Sequence, residues 1–488
     1  MKISNLQFST MLPIDRFPLI TEQGHRLLRR LEEHPHAPRY THRGYNRMTV
    51  EGLRRARAFA DELKTAPPGW QHGEVPPWLS ELVERCYREV PLYRRHGPPP
   101  ANFFDTPTAD RSDLNREPWA FVPDSQSLDD LIIYNTSGTT GHPLDILTHP
   151  DTLALYIPLL QAALSARNIS LQGGPERVAI ALVCFQKRTY TYATVSATLD
   201  QAGFVKVNLS PDEWRDPGDR ARFLDDLQAE VYTGDPISFA ELAKLPLAAR
   251  PKALVSTAMT LTPGLRQSLE DHFGCPVLDV YSMNESGPIG VAAPRGGQHA
   301  NVLVEAASTR QHAASSKAVE SYTLLQSRLY VEILNGDGTP CEPGQRGEVT
   351  LSGGFNPFLP LLRYRTGDYA ALEFRGRQPI LIGLEGRPPV TFRAADGRPI
   401  NNVDVSIALR PFAIAQFILH QFADGSLRLR LRAPVRVQAR TVHARPHAGR
   451  HHRYQHLQPR EAAVRVPRRA RLHAPAARGR DQPRDAAH

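Results

Sequence analysis

Apolar residues repeat along the first part of this chain at the spacing of helices. Leu27, Leu28 and Leu31, and then apolar positions in 53–63, recur every three or four residues, so 23–65 is predicted to be helical. Residues 78–94 predict a further amphipathic helix, between a proline-rich linker and Pro98-Pro99-Pro100.

From residue 130 onward, short apolar runs alternate with helical patterns. The predicted strands are 131–134, 177–184, 203–208, 230–233, 253–257 and 277–281; the predicted helices are 150–168, 189–202, 218–228, 236–244 and 262–273. This alternation favours an α/β fold, with a layered N-terminal domain built on mainly parallel sheets. Residues 327–374, with turn signals at 335–338, predict a small antiparallel subdomain.

The same patterns predict four domains. They are an N-terminal helical segment (1–75), the α/β body (76–386), an incomplete α+β C-terminal domain (387–435) and a basic, disordered tail (436–488). Within 389–435 the pattern predicts strand, turn, strand, helix and strand.

Composition restricts the class of protein. A chain of 488 residues with 41% apolar content is large enough for two or three domains with a sizeable core. The longest apolar run, Val178 to Phe185, is too short to span a bilayer, and the N-terminus has no apolar core of a signal peptide. The cysteines are scattered without a C-x-x-C pair. We therefore expect a cytoplasmic protein without a membrane partner.

The net charge of +9 comes from the tail. Residues 436–488 hold 13 arginines against three acids, which leaves the rest of the chain with 46 basic and 47 acidic residues. A nucleic-acid-binding arm is one interpretation of this tail. We prefer out-of-frame translation of a GC-rich gene, because Arg, Ala, Pro and His dominate and no core periodicity is present, and we expect no nucleic-acid partner.

One polar segment follows the first predicted strand of the body. Residues 134–143 read Tyr-Asn-Thr-Ser-Gly-Thr-Thr-Gly-His-Pro, which places hydroxyls and unobstructed backbone N–H groups together. Such a loop can wrap a phosphate. It lacks the lysine of the P-loop pattern, and an ordinary polar surface turn is the alternative.

Four segments in order resemble the adenylate-forming enzymes. They are 136–141, Tyr-Ser-Met-Asn-Glu (281–285), Arg-Tyr-Arg-Thr-Gly-Asp (363–368) and Gly-Leu-Glu-Gly-Arg (383–387). The Arg-Tyr-Arg-Thr form and the segment 82–93 are most similar to phenylacetate–CoA ligases. The resemblance covers roughly residues 75 to 430 and implies the fold and the activity of that family.

The resemblance also implies roles for particular residues. The implied nucleotide-binding residues are Thr136, Ser137, Gly138, Thr139, Thr140, Gly141, Tyr281, Ser282, Asp368 and Arg387. Thr139 and Glu285 are the implied catalytic residues, and Glu285 is the implied Mg²⁺ ligand. Tyr281 would stack on adenine, Asp368 would accept hydrogen bonds from the ribose hydroxyls, and Arg387 would contact ribose or phosphate at the hinge.

The acyl pocket and the C-terminal domain depart from the family. Phe185, Ala258 and Met259 are the candidate acyl-pocket residues, but the His of the family's aromatic-binding segment is absent near Phe185. His142 stands where many relatives have Lys. The family's C-terminal catalytic lysine has no counterpart, because Lys317 is the last lysine of the chain.

These observations predict an acid–thiol ligase that uses ATP, Mg²⁺ and coenzyme A. A small carboxylic acid, aromatic acids included, would be converted to an acyl-adenylate and then to a thioester. The alternatives are an adenylating enzyme that loads a carrier-protein thiol, and a catalytically impaired, ATP-binding remnant.

Overall fold

The fold is described from a computed structural model. It describes residues 14–129, 131–135, 144–294, 320–386, 392–393, 399–400, 416–422, 424–432 and 462–465. The chain forms two units, Met1–Val390 and Thr391–His488, and each is described by itself.

The α-helices of the described residues all lie in the first unit. They are α1 (Glu22–Glu32), α2 (Val50–Thr65), α3 (Pro77–Glu89), α4 (Pro91–Arg94), α5 (Arg111–Arg116), α6 (Pro150–Leu153), α7 (Tyr156–Ser165), α8 (Asp219–Leu227), α9 (Pro236–Leu242) and α10 (Pro263–Phe273). Side chains cap the N-termini of α1, α2 and α5. Thr21 accepts a hydrogen bond from the N–H of Gly24, Thr49 accepts one from the N–H of Gly52, and Asp110 forms a capping box with Asp113. Each cap supplies an acceptor for an N–H group of the first turn, which has none within the helix.

The strands of the first unit form one hairpin and one large sheet. The hairpin pairs β1 (Ile132–Asn135) with β2 (Asp145–Thr148). The sheet contains β3 (Val178–Cys184), β4 (Tyr192–Ser196), β5 (Ala202–Asn208), β6 (Val231–Gly234), β7 (Ala253–Ser256), β8 (Val277–Met283), β9 (Gly287–Ala292), β10 (Ser321–Leu324), β11 (Leu329–Leu334), β12 (Arg346–Gly353), β13 (Leu361–Arg375) and β14 (Gln378–Glu385).

The large sheet has a parallel and an antiparallel half. Its order is β11-β12-β13-β14-β10-β9-β8-β7-β6-β3-β5-β4. Strands β5, β3, β6, β7 and β8 are parallel neighbours, and all other pairs are antiparallel. The predicted α/β class with parallel strands and an antiparallel part is confirmed, and the two parts join through β8 and β9.

Residues 33–49, which belong to the predicted helical segment 23–65, do not form an α-helix and separate α1 from α2. The predicted helix 189–202 was wrong. Residues 189–202 contain β4 and a short 3-10 turn (Ala197–Leu199). The β-branched and aromatic residues of Tyr192–Ser196 favour a strand, and β4 pairs antiparallel with β5. Asp200 and Gln201 have φ of 50° and 68°, which turns the chain back toward β5. The predicted helix 150–168 is divided into α6 and α7.

Buried side chains form several apolar clusters. The largest contains residues of α3, α5, β2, β8 and the antiparallel strands, and a second lies between the parallel strands and α1, α8, α9 and α10. The N-terminal helix α1 thus packs on the sheet through Leu27, Leu28 and Leu31. Its apolar stripe has the helical spacing seen in the sequence.

The second unit is described only as strands. β15 (Phe392–Arg393) pairs with β16 (Pro399–Ile400), and β17 (Gln416–Gln421), β18 (Leu427–Arg432) and β19 (Ala462–Arg465) form an antiparallel sheet. β19 belongs to the predicted tail, so four residues of that tail are placed in a sheet. In the described parts of both units, helices long and apolar enough to cross a bilayer are absent.

Candidate active site

The candidate site begins at the carboxyl end of β8, where Tyr281 is buried. Its hydroxyl donates a hydrogen bond of 2.9 Å to Oδ2 of Asp368. Burial raises the pKa of Tyr281, and the neighbouring Asp368 carboxylate raises it further, so the phenol stays protonated as the donor. The contact joins the segments 281–285 and 363–368, which the sequence had singled out separately.

Asp368 reaches Tyr281 because β13 bulges. Arg365 pairs with Thr350 and Tyr369 with Glu348, so the three residues 366–368 lie opposite Val349 alone and two of them are extra in the ladder. Gly367 supports the bulge with φ of +81°, and its N–H donates to Oε1 of Glu348 at 2.9 Å. Bulges re-aim a side chain beside an active site, and this one directs the carboxylate of Asp368 to β8.

Two ion pairs hold the strand before the bulge. Arg363 donates to Glu332 at 2.7 Å, with both side chains buried, and Arg365 donates to Glu348 at 2.8 Å. Between them Tyr364 is fully buried, and its hydroxyl donates to Oε1 of Glu285 at 3.2 Å. Arg363 and Arg365 thus hold β13 against its neighbours through ion pairs, and Tyr364 contacts Glu285 in the candidate site.

Glu285 lies in the turn between β8 and β9 and is paired with an arginine that the sequence analysis missed. Arg111, the first residue of α5, donates from a terminal guanidinium nitrogen to Oε1 of Glu285 at 2.7 Å. Glu285 is 3% exposed. The pair joins residues 174 positions apart, and the local pattern around Arg111 signals only a helix start.

This pairing bears on the implied Mg²⁺ site. Among the described residues, clusters of three or more His, Cys, Asp or Glu able to hold a metal are absent. One carboxylate with phosphate oxygens is enough for Mg²⁺. However, Oε1 of Glu285 already accepts hydrogen bonds from the Arg111 cation and from Tyr364, so an ion on this carboxylate would lie beside a fixed positive charge. The residues present do not fit Mg²⁺ unless Arg111 moves.

A further buried carboxylate, Asp279, lies two residues before Tyr281. Tyr322 on β10 donates to its Oδ2 at 2.7 Å, and a nitrogen of Arg266 lies 3.8 Å from the same oxygen. Burial raises the pKa of Asp279 to about 6, although the Tyr322 hydrogen bond lowers it in part. Asp279 is therefore a titratable group close beneath the candidate site.

The three candidate acyl-pocket residues follow parallel strands. Phe185 follows β3, is partly buried, and its N–H donates to Ser238 Oγ at 2.9 Å. Ala258 has φ of +69°, and the N–H of Met259 donates to Thr257 O at 2.9 Å, which closes a strained γ-turn after β7. β6 lies between β3 and β7, so the two strand ends are about 10 Å apart.

The phosphate loop and two further residues of interest lie outside the described residues. They are Thr136, Ser137, Gly138, Thr139, Thr140, Gly141, His142 and Arg387. The ends of that loop are described: Asn135 pairs with Asp145. Leu144 and Ile146 belong to the same apolar cluster as Tyr281 and Tyr364. Burial raises the pKa of Tyr156, and the charges of Tyr134 and Glu285 raise it further. Ser282 is half-buried on β8.

No protein-family profile matches the chain. A curated relative, the phenylacetate-coenzyme A ligase of Escherichia coli (strain K12), is 23% identical over 320 residues. The chain is similar to an adenylate-forming enzyme. The match covers 60% of this chain and spans 65% of the relative's length.

Two solved structures are also similar to part of the chain. An open 2-hydroxyisobutyryl-CoA ligase in complex with 2-HIB-AMP and CoA is 16% identical, with a TM-score of 0.44 over 72% of this chain and 88% of that one. The adenylation domain of a keto acid-selecting NRPS module, bound to a keto acyl adenylate, is 14% identical, with a TM-score of 0.36 over 62% and 63%.

Proposed function

We propose that this chain activates a small carboxylic acid with ATP as an acyl-adenylate and transfers the acyl group to coenzyme A. The observation that carries the proposal is the contact of Tyr281 with Asp368, at the carboxyl end of β8. Ligands of parallel sheets bind beyond that end of the strands. The similarity to a phenylacetate–CoA ligase supports the same reaction.

In this proposal Asp368 accepts hydrogen bonds from the ribose hydroxyls. A carboxylate accepts several hydrogen bonds, so the bond from Tyr281 leaves acceptor capacity on Asp368. The bulge at 366–368 fixes the carboxylate before the nucleotide binds. A preformed acceptor avoids the entropy cost of ordering the side chain during binding.

Adenylation joins two anions, so the site has to supply positive charge. The loop 136–141 would bind the phosphates through N–H and hydroxyl groups. Arg111 is a cation held against Glu285. Neutralisation and alignment of the reactants are the main catalytic terms of such a transfer. Mg²⁺, when bound with ATP, would supply further charge at the phosphates, and Glu285 would have to leave Arg111 to hold it.

The substrate would lie by Phe185, Ala258 and Met259. These residues present apolar surface at adjoining strand ends, which suits an aryl or short acyl group. Transfer to a carrier-protein thiol is the alternative second half-reaction, and the acid itself is left to experiment.

Carboxylate-dependent exchange of pyrophosphate into ATP, scanned over aryl and short acyl acids, tests the first half-reaction. Lys317 is the last lysine of the chain, so the charge that the family's C-terminal lysine supplies is missing. Loss of one such charge contact predicts that exchange is about two to three powers of ten slower than with the lysine present, whereas ATP binding is retained. Formation of an acyl-CoA from the responding acid tests the second half. Fast exchange would mean that Arg111 or His142 replaces the lysine. Absence of ATP binding would refute the proposal.

A further inference from the structure

The N-terminal segment lies along the free edge of β4, far from Tyr281 in the sheet. Thr41 and Thr191 exchange hydrogen bonds of 3.0 and 2.8 Å between each backbone N–H and the other's hydroxyl. Gly44 approaches so closely that a Cβ there would lie 1.9 Å from the carbonyl oxygen of Ala193. The segment therefore covers a strand edge that would otherwise be open.

A cavity opens between this segment and α1, here named the β4-edge cavity. Its volume is about 350 Å³, which lies within the range of about 300–1,000 Å³ typical of small-molecule sites. It is lined by Arg16, Glu32, Tyr40, Thr41, His42, Arg43 and Ala193. Arg16 lies 4.0 Å from Glu32. Burial raises the pKa of Glu32, and the charges of Arg16 and Arg43 offset this rise in part. Two guanidinium groups therefore face one carboxylate, which favours anionic ligands.

Exposed aromatic rings border the β4-edge cavity. His42 lies between Tyr190 and Tyr45, with ring centroids 5.3 and 6.5 Å away in edge-to-face geometry. Tyr190 is 63% exposed and Tyr45 is 43% exposed. Exposed aromatic faces beside cationic side chains are the combination that binds a nucleobase with its phosphates.

The β4-edge cavity lies too far from Tyr281 to serve the same nucleotide. Five strand spacings separate β4 from β8, which corresponds to about 24 Å. Tyr192 pairs with Lys206 near the carboxyl end of β5, so Tyr190 and Thr191 lie toward the same edge of the sheet as the candidate active site. A ligand that uses both places has to be elongated, with an aromatic, phosphorylated end.

We propose that the β4-edge cavity binds the 3′-phosphoadenosine diphosphate end of coenzyme A. The adenine would stack on Tyr190 and His42, and the phosphates would lie against Arg16 and Arg43. The pantetheine arm would then extend along the carboxyl ends of the strands toward the acyl-adenylate. The identity of the ligand rests on the proposed function, whereas the chemistry of the cavity does not.

Equilibrium binding of adenosine 3′,5′-bisphosphate and of CoA to the full chain tests the proposal. Arg43→Ala and Tyr190→Ala are the test variants, since both side chains are exposed. Each is expected to weaken binding of both probes by about tenfold, as loss of a stacking or charged contact does. ATP affinity should stay unchanged. Arg54→Ala, which removes an exposed arginine on α2, is the matched control and should bind both probes normally.

The outcomes separate this proposal from the proposed function. Unchanged CoA and bisphosphate affinity in both variants overturns the cavity assignment, even if acyl-adenylate forms. Probe binding that depends on Arg43 and Tyr190, without any ATP binding, supports the cavity and refutes the adenylating function. If CoA does not bind but both variants slow loading of a phosphopantetheinyl carrier protein, the surface docks that carrier, and the proposal for CoA is wrong.

Discussion

Arg111 and Glu285 form a largely buried ion pair of 2.7 Å across 174 positions of the chain. The arginine comes from the first turn of α5, and the glutamate comes from the turn after β8. The sequence around either residue gives no sign that the two form a pair. Their contact changes the expected role of Glu285 from a free metal ligand to a carboxylate that already holds a cation.

Removal of one partner of this pair should destabilise the fold. Arg111→Met and Glu285→Gln each leave a buried polar group without its partner, and each should lower the free energy of unfolding by about 3 kcal/mol. The double variant should lose less than the sum of the two, because it leaves no unpaired charge. Urea denaturation of the four proteins measures this coupling. Additive losses would contradict a direct interaction.

Loss of the Asp368 carboxylate should weaken ATP binding. Asp368→Ala removes the proposed ribose acceptor, and at least about a tenfold loss of affinity is expected, about 1.4 kcal/mol. Calorimetry of the folded variant measures it. Asp337→Ala, in an exposed turn, is the control and should bind ATP normally. Unchanged affinity in Asp368→Ala would remove Asp368 from the nucleotide site.

Asp279 should make stability depend on pH. Its pKa is raised from 3.8 to about 6 in the folded protein, mainly by burial and also by the charge of Glu320, whereas Tyr322 and Arg266 lower it in part. The folded state binds the proton of Asp279 more tightly than the unfolded chain does. The contribution of this proton to the free energy of unfolding is therefore fully present below pH 3.8 and is lost as the pH rises through about 6. The change amounts to about 3 kcal/mol.

Denaturation of wild type and Asp279→Asn between pH 4 and pH 7 measures this effect, at roughly one-unit steps. The amide cannot ionise, so the variant should lack this part of the pH dependence. It should gain stability relative to wild type as the pH rises. A constant difference between the two proteins over the whole range would show that Asp279 does not titrate there.

The γ-turn at Ala258 should be relieved by glycine. Ala258 has φ of +69°, where a Cβ is unfavourable by about 1–2 kcal/mol, whereas glycine adopts this conformation freely. Part of the gain is offset by the greater entropy of glycine in the unfolded chain, so Ala258→Gly should stabilise by about 0.5–1 kcal/mol. Thermal unfolding measures it. Ala243→Gly, in the right-handed region at the end of α9, is the control and should destabilise.

The sequence determined the elements that local chemistry controls. Apolar periodicity predicted the parallel strands and the helices α8, α9 and α10 to within one or two residues. It failed for 189–202, because the helical spacing of a few apolar residues competes with β-branched composition, and pairing with β5 decides the outcome. The order of four motifs was also enough to predict the resemblance to adenylate-forming enzymes, which the curated relative supports.

The tertiary structure decided which side chains meet. The bulge at 366–368 and the contact of Asp368 with Tyr281 depend on the register of β12 and β13, which no local pattern specifies. The pairing of Arg111 with Glu285 and the docking of Thr41 on Thr191 join distant parts of the chain. Such contacts depend on how whole elements pack, because a side chain's partners across the fold are set by topology rather than by its neighbours in sequence.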